Sequence, residues 1–171
     1  MSQTQNSPDR IVKSVVLDAP RSRVWQALTD SRRFGTWFGV ELDGPFALGQ
    51  DVSGRIVPTQ VDEEVARLQE PHRGVPWNAR VERLEPMDVF AFSWRPYPLG
   101  QGQGQAPEAS PATLVTFELQ DAGDGVKLTI TESGLQALGP ELAQRVFEGN
   151  SGGWEHQMRL IGAYLARADA R

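Results

Sequence analysis

The acid Glu132 is the residue whose position in the sequence points most clearly to chemistry. Alternation along residues 126–132 places Glu132 on the same inward face as the apolar residues of that segment. A carboxylate that faces an apolar interior is unfavourable unless it is paired or hydrogen-bonded. Glu132 is therefore predicted to pair with an inward arginine or to meet a polar group of a ligand; the alternative is that strand twist turns it to the rim, where it caps a loop. The candidate partners are Arg55, Arg83 and Arg95.

The rest of the sequence gives little support for a metal site or for a catalytic nucleophile. The chain has no cysteine and two histidines, His72 and His156, and neither histidine has a second ligand at metal-binding spacing. The alternating glycines at 100–104 lack the spacing and the following helix of a dinucleotide-binding loop. The acids at 62–64 are expected to be solvated. No catalytic residue, metal ligand or cofactor is predicted.

Aromatic side chains are the main candidates for a binding site. The chain carries five tryptophans and seven phenylalanines, and most of these rings fall at inward positions of the predicted elements. Aromatic walls suit flat apolar ligands, but the same pattern is typical of a filled core, and the sequence leaves both interpretations open. The predicted ligand-binding residues are Trp37, Phe38, Trp77, Phe90, Phe92, Trp94, Tyr97, Phe117, Glu132, Trp154 and Met158.

Length and charge limit the classes of protein to which the chain can belong. Its 171 residues fit one domain, predicted over residues 10–168 after a disordered tail at 1–9. A net charge of −5 with scattered basic residues argues against nucleic-acid binding. No stretch approaches the ~20 apolar residues of a membrane-spanning helix. The absence of cysteine is compatible with the predicted location in the cytoplasm.

Hydrophobic alternation predicts about seven strands, which lie at 11–17, 40–46, 52–57, 77–84, 89–95, 113–119 and 126–132. Two short helices are predicted after the first strand, one near Pro20 and one capped by Asp30. Residues 58–74 are predicted to be mostly loop with one or two helical turns, and residues 96–111 to be a long surface loop. A long helix with an apolar stripe is predicted over 140–168, with the glycines of 149–153 as the candidate site of a kink.

This order of elements predicts an α+β fold of the helix-grip type. Consecutive strands joined by short turns indicate an antiparallel meander. A sheet with one apolar face needs a cover, and the C-terminal helix is the only large element left to supply it. The sheet is therefore predicted to curve around the long helix, with a cavity between them wherever side chains do not fill the space.

Several local motifs in this order resemble the START-like (SRPBCC) superfamily, and within it the branch related to the C-terminal domain of the activator of Hsp90 ATPase. The resemblance runs over about residues 11–166. The motifs are VWQALTD at 24–30 with WFG at 37–39, VERLEP at 81–86 with FAFSW at 90–94, VTFEL at 115–119, TITESG at 129–134, Asn150, and GWE at 153–155 with Gln157, Ile161 and Tyr164.

The resemblance implies small-molecule binding more strongly than catalysis. Members of the superfamily bind lipids, sterols, flavonoid-like compounds and polyketides, a few are enzymes, and eukaryotic relatives of this branch stimulate a chaperone ATPase. The predicted function is non-enzymatic binding of an apolar or aromatic molecule in the cavity. The alternatives are a protein-interaction module that regulates a chaperone, and a cyclase- or hydrolase-type enzyme that uses the same cavity. The chain is expected to be a monomer or a weak homodimer, with no nucleic-acid partner and no membrane insertion.

Overall fold

The computed structural model describes residues 9–95 and 111–167, and these form seven strands and four α-helices. The strands are β1 Arg10–Leu17, β2 Val40–Leu42, β3 Asp51–Ile56, β4 Pro76–Glu85, β5 Val89–Trp94, β6 Thr113–Ala122 and β7 Gly125–Ser133. The helices are α1 Arg21–Thr29, α2 Ser31–Phe38, α3 Glu63–Gln69 and α4 Pro140–Ala166. Two short 3-10 turns lie at Glu70–His72 and Leu135–Leu138.

All seven strands belong to one antiparallel sheet in the order β1-β7-β6-β5-β4-β3-β2. Each strand from β2 to β7 pairs with its neighbour in sequence, and β1 pairs with β7 at the far edge. The long helix α4 contacts β1, α1 and α2, and its buried residues join the core formed by the inward face of the sheet. The predicted α+β helix-grip architecture is therefore confirmed.

The two short helices after β1 are fixed by a cap and by one buried indole. Asp30 precedes α2, and its side chain accepts hydrogen bonds from two backbone N–H groups in the first turn. The Trp37 indole nitrogen donates to the Ala27 carbonyl oxygen at 2.8 Å, which ties α2 to α1 inside the core. The backbone leaves α2 at Gly39, whose φ of 98° is one that glycine adopts without steric cost.

The segment between β3 and β4 is more helical than its sequence predicts. Helix α3 and the 3-10 turn that follows cover residues 63–72, where mostly loop was expected. Asp62 caps α3 by accepting a 3.0 Å hydrogen bond from the Val65 backbone N–H, and Val65 is buried. A single buried side chain and a cap therefore stabilise a helix that lacks a long apolar stripe. Strand β2 differs in the opposite direction, since it ends at Leu42 and not at Phe46.

Helix α4 runs without a break for 27 residues through the glycines where a kink was predicted. A Cβ atom placed on Gly149, Gly152 or Gly153 would meet no atom within 4 Å. These glycines therefore lie beside open space. Among the helices in the described part of the chain, none is both long and apolar enough to span a membrane.

Three sequence-based predictions concern residues outside those the structure describes. They are the tail, apart from Asp9, the loop predicted at 96–111, apart from Pro111, and the site residue Tyr97. Asp9 itself is bound to the fold, because its backbone carbonyl accepts a 3.0 Å hydrogen bond from the Leu135 N–H. Asp9, the last residue of the predicted tail, thus contacts the 3-10 turn at Leu135–Leu138.

Candidate functional site

The carboxylate of Glu132 lies inside the core and has a relative exposure of 0%. Its Oε1 accepts hydrogen bonds of 2.9 Å from Asn150 Nδ2 and 2.9 Å from Trp154 Nε1. Its Oε2 accepts 2.9 Å from Trp94 Nε1 and 2.7 Å from Thr113 Oγ1. Four donors thus surround one buried carboxylate, which is the condition that makes burial of such a group tolerable.

These donors reach Glu132 from three different elements. Trp94 ends β5 and is paired with Thr113 at the start of β6, so the register brings both beside the end of β7. Asn150 and Trp154 are four positions apart on α4, and residues at this spacing lie on the same helix face. The Glu132 network therefore connects three neighbouring strands with the helix that covers them.

The inward orientation of Glu132 agrees with the alternation of its strand, but two of the predicted arginine partners, Arg55 and Arg83, are wrong. Arg55 binds Glu41 at 2.7 Å and Asp43 at 2.8 Å, and hydrogen bonds to Asp43 and Glu41 raise the pKa of Arg55. Arg83 binds a surface carboxylate two residues away. Neutral donors take the place of these two arginines at Glu132. Arg95, the third predicted partner, is among the residues that line the cavity described next.

A cavity of about 720 Å³ adjoins this network. Its aromatic wall is formed by Phe38, Trp77, Trp94 and Trp154. The Trp94 and Trp154 rings lie 5.7 Å apart between centroids, and Trp77 meets Trp94 edge to face at 5.9 Å. Glu132 holds the nitrogens of two of these indoles from behind, so the wall is oriented before any ligand arrives.

Polar residues complete the lining. Gln69 and His72 come from the α3 segment, while Asn150 and Gln157 project from α4. Further lining residues belong to the outward face of β3, β4 and β5, namely Asp51, Ser53, Asn78, Arg80 and Ser93. These outward residues are neighbours in the sheet, since Asp51 pairs with Arg80 and Arg80 with Ser93. The space of about 720 Å³ therefore extends from the aromatic wall onto the outer face of the sheet, and only part of it lies between the sheet and α4.

The residues predicted to bind a ligand fall into two groups. Phe38, Trp77, Trp94 and Trp154 line the cavity, and Glu132 stands behind two of them. The others lie in the core and are not among the lining residues of this cavity: Trp37, Phe90, Phe92, Phe117 and Met158. Tyr97 lies outside the described residues.

The phenylalanines of β5 and β6 show why the cavity is confined to one end of the sheet. Phe90 and Phe117 stack with ring centroids 5.8 Å apart, and Phe92 contacts both. All three have a relative exposure of 0%. The space between sheet and helix is therefore filled at the level of these rings and open at the level of Trp77 and Trp94.

Comparison with known proteins shows the family of the chain. The model of the AHSA1 family, described as Activator of Hsp90 ATPase homolog 1-like protein, matches residues 18–166. The chain belongs to this family. The predicted resemblance to that branch of the START-like superfamily is thus confirmed, and the matched residues include every described side chain of the Glu132 network and of the aromatic wall.

Solved structures share the fold of this AHSA1-like chain. DynU16, a protein from the dynemicin biosynthetic locus, is 26% identical with a TM-score of 0.63, over 92% of this chain and 47% of DynU16. The chain thus spans about half of DynU16. MLL2253 from Mesorhizobium loti is 22% identical with a TM-score of 0.66, over 94% of this chain and 98% of that protein. CalU16 from Micromonospora echinospora is 21% identical with a TM-score of 0.60, over 92% and 76%. No curated protein sequence matched significantly.

Sequence reasoning did not assign a binding role to the polar residues that the AHSA1-like fold brings to the cavity. Gln157 Nε2 and Gln69 Nε2 both donate to the Phe38 carbonyl, at 3.1 and 3.3 Å. Gln69 Oε1 also accepts 2.7 Å from the Thr59 backbone N–H. The sequence does contain a signal for the residues of α4, because the spacing of Asn150, Trp154 and Gln157 puts all three on one face of the helix.

The α3 segment of this AHSA1-like chain is held against α4 by charge. Asp62 accepts a 2.9 Å hydrogen bond from Arg159 Nη2, and Glu64 lies 3.6 Å from the same nitrogen. The Val65 N–H and, second to it, Arg159 hold the pKa of Asp62 below its ordinary value. This ion pair fixes the segment that carries Gln69 and His72 at the cavity border. In the described part of the chain, no group of three or more acidic or histidine side chains is arranged to hold a metal ion.

Proposed function

We propose that this protein binds an apolar or aromatic small molecule in the cavity between the sheet and α4, without catalysing a reaction on it. The observation that carries the proposal is the aromatic wall of Phe38, Trp77, Trp94 and Trp154, which lines the inner part of the cavity. Aromatic walls with a few polar groups at their border are typical of small-molecule sites. Flat rings on one side and polar groups on the other favour a flat ligand of the flavonoid or polyketide type over a simple alkyl chain.

The Glu132 network supports the proposal because its hydrogen bonds are complete without a ligand. Both carboxylate oxygens already accept two hydrogen bonds each. Such a carboxylate is a poor general acid or base, since its oxygens are covered by Asn150, Trp154, Trp94 and Thr113. Its role in the proposal is to orient the indoles of the wall, and preorganised walls lower the entropic cost of binding.

The family and its relatives fit a small-molecule ligand. DynU16 comes from a biosynthetic locus, where small organic molecules are made. The family description names activation of Hsp90 ATPase, so regulation of a chaperone is the second candidate function. It needs an exposed docking surface, whereas the large exposed apolar residues of the described part of the chain are scattered over Val12, Val16, Leu48 and Leu68.

A thermal-shift screen tests the proposal with fatty acids, sterols, flavonoids and chalcones as probes. A ligand present at about 100 times its dissociation constant stabilises the folded state by roughly 2.7 kcal/mol. We expect flavonoids or chalcones to raise the melting temperature and to quench tryptophan fluorescence, because Trp77, Trp94 and Trp154 form the wall. A rise in melting temperature with a purified chaperone, together with no response to any small molecule, would favour the second candidate.

A further inference from the structure

Strand β1 is an edge of the sheet, and its second side pairs with no other strand of the described chain. It comes first in the strand order β1-β7-β6-β5-β4-β3-β2, and β7 is its partner along all of residues 10–17. Within the described residues, no backbone hydrogen bond from a loop or helix reaches 10–17 from the other side. An unpaired strand edge is a template for another strand unless the protein protects it.

The turn between β6 and β7 determines which residues of β1 direct their backbone groups to that free side. Ala122 pairs with Gly125 across a two-residue turn, and the residues that flank such a turn are hydrogen-bonded to each other. Because hydrogen bonding alternates along an antiparallel strand, the even-numbered residues of β7 bond to β1. Their partners in β1 are its odd-numbered residues. The even-numbered residues of β1 therefore point their N–H and C=O groups to the free edge.

The same even-numbered residues carry the exposed side chains of β1. Val12 and Val16 have relative exposures of 55% and 60%, and they are two of the four large apolar side chains exposed in the described chain. Ser14 between them is exposed as well. Two valines form too small a patch to dock a globular surface, but an added strand draws its affinity from main-chain hydrogen bonds. The free edge therefore suits a strand as its partner.

The features that commonly protect an edge strand do not close β1. Lys13 is the charged residue on its inward face, and a charge in that position commonly keeps a second strand away. Its Nζ lies 2.7 Å from Glu155 Oε2 on α4, so the charge is balanced within the same chain. Strand β1 contains no proline, and its pairing with β7 runs without a bulge. A second strand can therefore approach.

The charges at the two ends of β1 favour a second copy of this chain in antiparallel orientation. Arg10 begins the strand and Asp18 follows its last residue, and both are exposed. Neither takes part in an ion pair of the described chain. With Ser14 opposite Ser14 of the second copy, Arg10 lies opposite Asp18 and Val12 opposite Val16. Sliding one copy by two residues would place a charge opposite a valine, and sliding it by one would exchange the faces.

We propose that β1 is the interface of a symmetric homodimer, in which two sheets join edge to edge around Ser14. The even-numbered residues pair across the interface, and each such pair exchanges two hydrogen bonds. The opposite charges of Arg10 and Asp18 meet at both ends, and one surface serves both copies, as a two-fold axis requires. No residue of β1 lines the cavity, so this interface is independent of the proposed ligand site.

Sedimentation velocity of the full chain tests whether the dimer forms. The contact is short, and small interfaces are weak and transient. We expect the sedimenting mass to rise from one chain to two as the concentration increases, with a dissociation constant of about 10–100 μM. The mass of a single chain at every concentration up to about 1 mM would overturn the proposal.

Reversal of the end charges tests the register of the two strands. Arg10→Asp and Asp18→Arg each bring like charges together at both ends, so each should weaken the dimer at least about tenfold. The double variant restores opposite charges and should return the dissociation constant to within about threefold of the original. Arg80→Asp makes the same reversal on β4 and should leave the dimer unchanged. A double variant that dimerises no better than the single variants would overturn the pairing of Arg10 with Asp18.

A cysteine at the two-fold axis locates the interface independently of affinity. The chain contains no cysteine, so a single introduced thiol forms a disulfide only between two copies. In the proposed register the two Ser14 Cα atoms lie about 5.5 Å apart, within disulfide range, whereas the two Val12 Cα atoms lie about 14 Å apart. With a mild oxidant, Ser14→Cys should become a covalent dimer and Val12→Cys should not. Equal cross-linking of both, or a dimer in sedimentation that Ser14→Cys fails to cross-link, would overturn this interface.

Discussion

Glu132 on β7 accepts a 2.9 Å hydrogen bond from the indole nitrogen of Trp154 on α4, so a single polar contact joins the two layers inside the core. The same carboxylate oxygen accepts from Asn150, one turn earlier on the helix. Because Trp154 lines the cavity, the contact couples the stability of the fold to the shape of the proposed binding site.

Replacing Glu132 by leucine is expected to destabilise the protein strongly. The substitution leaves four buried donors without an acceptor, each costing about 1–3 kcal/mol, although loss of the buried carboxylate recovers part of this. We expect the free energy of unfolding to fall by about 3 kcal/mol, as measured by chemical denaturation. Glu132→Gln retains one oxygen but turns an amide N–H₂ towards two donors, and is expected to cost about 2 kcal/mol.

Glu118→Leu is the matched control for this experiment. Glu118 lies on β6 and is exposed, so the same change there should alter the unfolding free energy by less than about 0.5 kcal/mol. A Glu132→Leu protein that melted and bound ligands like the unsubstituted chain would contradict the structural role assigned to the carboxylate.

Gly39 is expected to tolerate alanine less well than another glycine with a similar backbone. Its φ is 98°, and a Cβ there would lie 2.7 Å from the Gln69 amide nitrogen. Gly49 has a φ of 78° with no atom within 4 Å of such a Cβ. Left-handed backbone costs about 1–2 kcal/mol in either alanine variant. Gly39→Ala should lose about 1 kcal/mol more, because Gln69 must move away from its backbone partners.

Chemical denaturation of the two alanine variants measures this difference directly. Equal losses for Gly39→Ala and Gly49→Ala would mean that the position of Gln69 contributes nothing to the stability of the fold. A larger loss at Gly49 would contradict the contact that the structure places between Gly39 and the α3 segment.

The pKa of Asp62 is expected to depend partly on Arg159. The Val65 N–H and then Arg159 lower this pKa from its ordinary value of 3.8. A lowered pKa means that ionised Asp62 stabilises the folded state above pH 3.8 and that this contribution is lost as the pH falls through the lower, folded-state value. Arg159→Ala should raise the pKa of Asp62 but leave it below 3.8, because the Val65 N–H remains.

Carbon-detected titration of the Asp62 carboxyl group by magnetic resonance checks this expectation. Arg80→Ala serves as the control, since Arg80 pairs with Asp51 on the outer face of the sheet and should leave the Asp62 titration unchanged. If Arg159→Ala left the pKa of Asp62 unchanged, the ion pair between Arg159 and Asp62 would not be what holds α3 against α4.

The sequence was sufficient for the architecture because alternation reports which face of a strand is buried. It placed Glu132 and Trp94 inward before any contact was known. It did not identify the donors around Glu132, since these lie 18 to 38 positions away and meet it only through strand register and helix packing. The arginine partners were chosen by charge alone, and charge does not report which face a side chain occupies.

Alternation also does not report which residues on the inward face of a strand lie at the cavity and which lie in the filled core. Phe90, Phe92 and Trp94 share one face of β5, yet only Trp94 lines the cavity. The difference arises from neighbours on other elements, since Phe117 fills the space beside the two phenylalanines. Helix α3 shows the same limit, because its stability depends on Asp62 contacts that local hydrophobicity does not encode.

The cavity itself is tested most directly by filling it from α4. Gly153 lines the cavity, and a Cβ placed there meets no atom within 4 Å. Gly152 has the same open surroundings but is exposed and does not line the cavity. Phenylalanine at either position improves helix propensity by a few tenths of a kcal/mol over glycine, so neither variant is expected to lose stability.

The decisive measurement is therefore the dissociation constant of 2-naphthol for the unsubstituted protein, Gly153→Phe and Gly152→Phe, together with their melting temperatures. We predict that Gly153→Phe binds at least about tenfold more weakly while melting no lower, because the new ring occupies the ligand volume. Gly152→Phe should bind as the unsubstituted protein does. Equal binding by all three proteins would contradict the assignment of the ligand site to the cavity between the sheet and α4.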